Sequence, residues 1–174
     1  MSYVKGLESG AWASVAELSE FPKVAAKVDK WDFPGFGPMT RIDTMSGPFP
    51  AQTLRVGDRV RTRRGGFAEI RWLDRIALES DFLHRHPEAQ PVLIPARALG
   101  QGVPHQDVVL SAGQRISLEG LMRHGNSCTA GELLGSPAAR RQIETIFTYT
   151  MFICAEPVEV RVGGLWTKLE PPHW

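Results

Sequence analysis

The chain has 174 residues and a mass of 19.3 kDa, with 43% apolar and 22% charged residues and a formal net charge of +1. That is enough chain for one domain with a full hydrophobic core, and a charge this close to zero selects neither nucleic acid nor a membrane surface as partner. No apolar run approaches the roughly 18 residues of a membrane span, and residues 1–12 lack the basic start and apolar centre of a secretory signal, so the expected location is cytoplasmic.

Residues 13–30 carry the first helical signal. Ser14 and Glu17 make a capping-box pair, and Ala16, Leu18, Val24, Ala25 and Val28 supply apolar positions. Pro22 divides the run, so two short helices meeting at Phe21-Pro22 are expected. The Pro- and Gly-dense stretch from Asp32 to Pro38 reads as a connector.

From Arg41 onward the pattern is β. Leu54, Val56 and Val60 alternate with polar neighbours, and Val60-Arg61-Thr62-Arg63 runs into a turn at Arg64-Gly65-Gly66, with Phe67 to Leu73 returning. His84 and His86, beside Asp81 and Pro87, read as a polar loop. Two further strands are expected over Pro91 to Ala98 and Val108 to Leu118. Short helices are expected at 129–134, where Thr129 and Glu132 form a capping box, and at 137–143 behind Ser136-Pro137. Strands at Ile143 to Ala155, Pro157 to Val162 and Leu165 to Leu169 close the chain, the last two joined through Gly163-Gly164. Many short strands and few helices predict a mainly β fold with short N-terminal helices and a few helical turns.

Several fragments, in order, resemble one family. Gly35-Phe36-Gly37-Pro38-Met39-Thr40-Arg41-Ile42-Asp43-Thr44 is similar to the Cys-Phe-x-Pro-Gly-Thr-x-Ile-x-Thr opening of bacterial Hint-like domains, relatives of Hedgehog C-terminal regions and inteins. Leu54 to Thr62, with Val56-Gly57-Asp58, resembles the Leu-x-x-Gly-Asp-x-Val-x-Thr segment, followed by Gly65-Gly66 and Arg71-Trp72. Pro91 to Ile94, Ala98 to Pro104 and Asp107 to Gln114 resemble a later block that closes in Ser-Pro-x-His. The resemblance covers about residues 35–120 and implies a helical segment and linker over 1–34 and a Hint-like β domain over 35–174.

The same resemblance speaks against the family's chemistry. In an active Hint domain the first Cys attacks the carbonyl of the preceding peptide bond, because a thiolate is both a strong nucleophile and a workable leaving group. Here that position is Gly35, which has no side chain. The His that helps protonate the scissile amide is matched by Gln114, which can hold a hydrogen bond but cannot deliver a proton. A further His sometimes found on a C-terminal strand has no counterpart in Phe147 to Met151. Inteins also finish in His-Asn, where this chain reads Pro171-Pro172-His173-Trp174.

No catalytic residue, cofactor or metal site is therefore expected. Cys128 and Cys154 are too few for a disulfide framework, and His124, four residues before Cys128, has no second pair to complete a zinc template. Catalysis by Cys128 with His124 as base is the weaker alternative, since Gly125-Asn126-Ser127 argues for a loop.

The candidate interaction residues are Arg59, Arg61 and Arg63, which would project from one strand face, and Trp174 at the end of the chain. No aromatic set interleaves with the arginines, so nucleic acid is not expected. The reading is a Hint-like module without processing activity, serving structure or protein interaction for an unidentified partner or a larger assembly. The alternative is autoprocessing by a nonstandard nucleophile.

Overall fold

Alternation of apolar and polar residues builds most of the strands in the computed structural model, which describes residues 31–121 and 127–170. Among these residues the strands are β1 (Arg41–Thr44), β2 (Gly47–Pro50), β3 (Arg59–Arg61), β4 (Phe67–Leu78), β5 (Val92–Ile94) and β6 (Val108–Leu110). They continue with β7 (Arg115–Ser117), β8 (Ser127–Thr129), β9 (Arg140–Arg141), β10 (Phe147–Cys154), β11 (Val158–Val162) and β12 (Leu165–Leu169). One short helix, α1 (Ser80–Arg85), and three 3-10 turns complete the described elements. The fold is mainly β, as expected; the helices expected over 13–30 lie outside the described residues.

The larger sheet runs β10-β4-β3-β1-β11-β12-β7-β8, with β2 added to β1, and a smaller sheet runs β6-β5-β9. The long β4 pairs with β3 through Phe67 to Glu69 and with β10 from Ile70 to Leu78. Phe36 bridges the two sheets, forming antiparallel pairs with Leu110 of β6 and Thr150 of β10. Val160 and Val162 of β11 turn inward while Glu159 and Arg161 turn outward. Gly163 and Gly164, at φ 56° and 89°, make the tight turn into β12, a conformation that costs other residues a Cβ clash. The main core gathers Ile42, Leu54, Val60, Ile70, Ile94 and Leu110, and a second cluster packs Ile76, Leu78, Phe82, Phe147 and Tyr149 together.

Several boundaries differ from expectation. Leu54 to Val56 is not a strand: Leu54 follows a 3-10 turn, Val56 is exposed, and Asp58 folds back so that its Oδ2 accepts the Arg55 N–H at 2.8 Å. The Asp side chain supplies a local partner that competes with strand pairing. The segment read as the polar loop of His84 and His86 contains α1, which buries Phe82 and Leu83 and places Asp81 in its first turn and His84 and Arg85 in its last, the charge order that favours a helix dipole. The strand expected over 91–98 is confined to β5, and that over 108–118 splits into β6 and β7 around a turn in which Gln114 N–H donates to Ser111 O at 3.0 Å.

The capping box at Thr129 and Glu132 forms, with the Thr129 N–H on Glu132 Oε2 at 2.6 Å and the Glu132 N–H on Thr129 Oγ1 at 3.3 Å, and leads into a 3-10 turn over Gly131–Gly135. No helix follows Pro137. Ser136 Oγ accepts the Ala138 N–H at 3.2 Å, and residues 140–141 pair with β5 instead.

Candidate functional site

The turn that divides β6 from β7 carries Ser111, Gly113 and Gln114 up against residues 31–36. Phe36 exchanges backbone hydrogen bonds with Thr150, N to O at 2.9 Å in each direction, and Ser111 N–H donates to Gly35 O at 2.9 Å. Gly35 is therefore buried and held at the junction of the two sheets.

Gln114 is fully buried and all of its amide is used. Its Oε1 accepts the Gly35 N–H at 3.2 Å, while Nε2 donates to Arg115 O at 3.1 Å and Lys168 O at 3.0 Å. The two carbonyls fix which end of the amide carries the nitrogen, so the oxygen faces the peptide N–H. Sequence reasoning placed Gly35 and Gln114 at matching positions of a motif 79 residues apart; the structure brings them into contact. What they hold is the nitrogen of the Pro34–Gly35 peptide. A carbonyl oxygen there can only accept, so the arrangement orients the amide and supplies it with no proton.

The wall facing Gly35 is Tyr149. A Cβ built at Gly35 would lie 3.1 Å from Tyr149 Cβ, tighter than ordinary van der Waals contact. The Tyr149 hydroxyl points elsewhere, donating to Ala89 O at 2.9 Å. Burial raises its pKa above the ordinary tyrosine value, against the opposing pull of the Arg141 guanidinium. It is a neutral wall and supplies no base.

The residues before Gly35 are packed into the domain. Trp31 Nε1 donates to Ser111 Oγ at 2.8 Å, and Ser111 Oγ donates to Phe33 O at 2.6 Å. The Trp31 ring lies 5.0 Å from Phe33, 5.9 Å from Phe82 and 6.4 Å from Tyr149, centroid to centroid. A Cβ on Gly113 would collide with the Asp32 carbonyl and come within 2.6 Å of Phe33 O, so only glycine lets the incoming chain lie this close. Sequence reasoning missed Trp31, Gly113 and Tyr149. The available signal was a lone Trp at the edge of the connector and a Gly immediately before Gln114.

A model of the Hint domain matches residues 34–168. The chain belongs to the Hint domain family. No curated protein matches it. Among solved structures, this Hint domain is similar to the gp41-1 intein, with a TM-score of 0.50 and 10% identity over 78% of this chain and 98% of that one. A variant of the MchDnaB-1 intein gives a TM-score of 0.50 and 14% identity over 76% and 97% of the two chains. At these identities the likeness carries the fold and nothing about the role of a residue.

The other candidate residues are dispersed. Arg59 and Arg61 are exposed on β3 to either side of buried Val60, opposite Glu69 and Phe67 of β4. Arg63 is not on their strand. It sits in the turn, where Nη1 contacts Ser117 Oγ at 2.8 Å and Glu159 at 3.4 Å, Nη2 contacts Glu119 at 3.1 Å, and the guanidinium lies 6.0 Å from the Trp166 ring centre. Its charge is engaged in holding the hairpin to β7, β11 and β12. Trp174 and His124 lie outside the described residues. Cys128 is half-buried on β8, and burial, with Glu132 beside it, pushes its thiol up to about 11, the opposite of what a nucleophile needs. Cys154 is buried and likewise raised to about 11 by burial. Among the described residues no three His, Cys, Asp or Glu side chains converge as metal ligands, and no helix is long and apolar enough to cross a membrane.

Proposed function

We propose that this Hint domain does not cleave or splice its own chain, and that it serves as a structural or protein-interaction module within a larger assembly. The observation that carries the reading is the hydrogen bond from Gly35 N–H to Gln114 Oε1. It reproduces the hold on the amide that processing needs while leaving that amide with neither an attacking sulfur nor a proton donor. General acid help of the kind a His supplies is worth about 10²–10⁴ in rate, and without a nucleophile there is no acyl shift for it to assist. The packing of half-buried Trp31 and Phe33 against the core supports the same reading, since a segment held at two side chains is poorly placed to leave.

Restoring the chemistry tests it. In the triple variant Gly35→Cys, Gln114→His, Pro34→Ala, thiol-dependent cleavage after residue 34 is expected, and none in the parent chain. The Pro34 change removes the ring constraint beside the carbonyl that the new thiol would attack. Cleavage of the parent under the same conditions would overturn the reading.

A further inference from the structure

β10 has an open edge. Thr150 exchanges both of its backbone hydrogen bonds with Phe36, so its N–H and C=O point away from β4. Alternation along the strand sends the N–H and C=O of Thr148 to the same side. There the neighbouring chain has already left: Gly37 N–H donates to Val109 O at 2.8 Å, on β6. The Thr40 hydroxyl closes the facing edge of β6, donating to Val109 O at 2.8 Å and accepting its N–H at 3.1 Å. The ladder on β10 thus stops after one residue pair, beside a groove of about 650 Å³ that Thr148 lines.

The lips of the groove are aliphatic and open to solvent. Met39 and Ile146 line it at 64% and 65% exposure, and Ile143, next to the lining residue Gln142, is 78% exposed. Its walls carry two carboxylates, Asp107 and Glu144, against one guanidinium. Each is already held by a neutral partner: Arg75 Nη2 donates to Gln52 O and Leu54 O, Asp107 Oδ1 accepts the Ala96 N–H at 2.8 Å, and Glu144 accepts from Gln142 Nε2, so the lining keeps a net charge of one carboxylate.

We propose that this groove binds an extended segment of a partner protein as an added strand on β10. The segment would carry an aliphatic side chain between Met39 and Ile146 and a Lys or Arg toward Asp107 and Glu144. Unpaired strand groups select extended backbone, and the lips select the side chains; the excess of carboxylate selects a basic flank. The inference rests on the proposed interaction role and assigns it a site and a class of partner.

The probe is a blocked heptapeptide, Lys-Val-Thr-Val-Thr-Val-Lys, added to the ¹⁵N-labelled full chain. Binding at roughly millimolar concentration or below is expected, with the Thr148 amide shifting and exchanging about tenfold more slowly. The Glu-flanked version and a backbone N-methylated version should each bind about tenfold more weakly. Thr148→Pro should remove binding, since its missing N–H is one that β4 does not use; Ile146→Asp gives an independent loss if the proline variant fails to fold. No response at Thr148, or equal binding of the Glu-flanked peptide, overturns the proposal. So does a dimer of the chain that Thr148→Pro dissociates, because it assigns the edge to a second copy. Self-cleavage would sink the non-processing reading without touching this result, whereas an intact chain that ignores the peptide sinks the strand addition alone.

Discussion

The Gln114 side-chain oxygen lies 3.2 Å from the Gly35 backbone nitrogen, and the two hydrogens of its amide are held by the Arg115 and Lys168 carbonyls. One buried side chain therefore joins the start of the matched domain, the turn before β7 and the last strand. The amide of Gln114 thus acts as a joint between three separate stretches of the chain.

Removing the joint should be costly. Gln114→Ala takes the acceptor from the buried Gly35 N–H and a donor from each of two part-buried carbonyls, and opens a void where a fully buried side chain stood. Each such group costs about 1–3 kcal/mol, and partial rearrangement should bring the total to about 3 kcal/mol in urea denaturation. A loss below about 1 kcal/mol would mean that water or other groups replace the amide.

Gly113→Ala should expel the incoming segment. Its new methyl group collides with the backbone of Asp32 and Phe33, and no side-chain rotation relieves a backbone clash. Protease cleavage around residues 31–34 should become rapid, with a stability loss of about 2 kcal/mol. Unchanged protease resistance would show that residues 31–34 do not need this seat.

Tyr149 should impose an alkaline limit. Its folded pKa is raised above the ordinary value of 10.0, chiefly by burial. The native state keeps the phenol protonated while the unfolded chain ionises, so this contribution is complete below pH 10 and is lost as the pH rises beyond it. Tyr149→Phe should lose about 1 kcal/mol near neutrality with the hydrogen bond to Ala89, and that difference should narrow above pH 10. A constant difference between the two proteins across this range would exclude the assignment.

The strands of the last third were legible because Val158 to Val162 alternates apolar and polar residues and the chain then turns at Gly163-Gly164. The Hint family was legible because ordered motifs mark it, and the same motifs singled out Gly35 and Gln114, whose contact only the structure gives. The split of 108–118 was not, since Ser111 to Gln114 turns for the sake of contacts with residues about 80 positions earlier. Nor was α1, six residues long, whose Phe82 is explained by Tyr149 and Trp31 rather than by local pattern. Arg63 shared the spacing of Arg59 and Arg61, but ion pairs with Glu119, in the turn after β7, and Glu159 of β11 decided its place.

The most direct measurement is the intact mass of the purified full chain, followed over days at neutral pH with and without hydroxylamine and excess thiol. A chain that does not process itself stays at 19.3 kDa throughout. The appearance of two fragments dividing between Pro34 and Gly35, faster with hydroxylamine, would contradict the account.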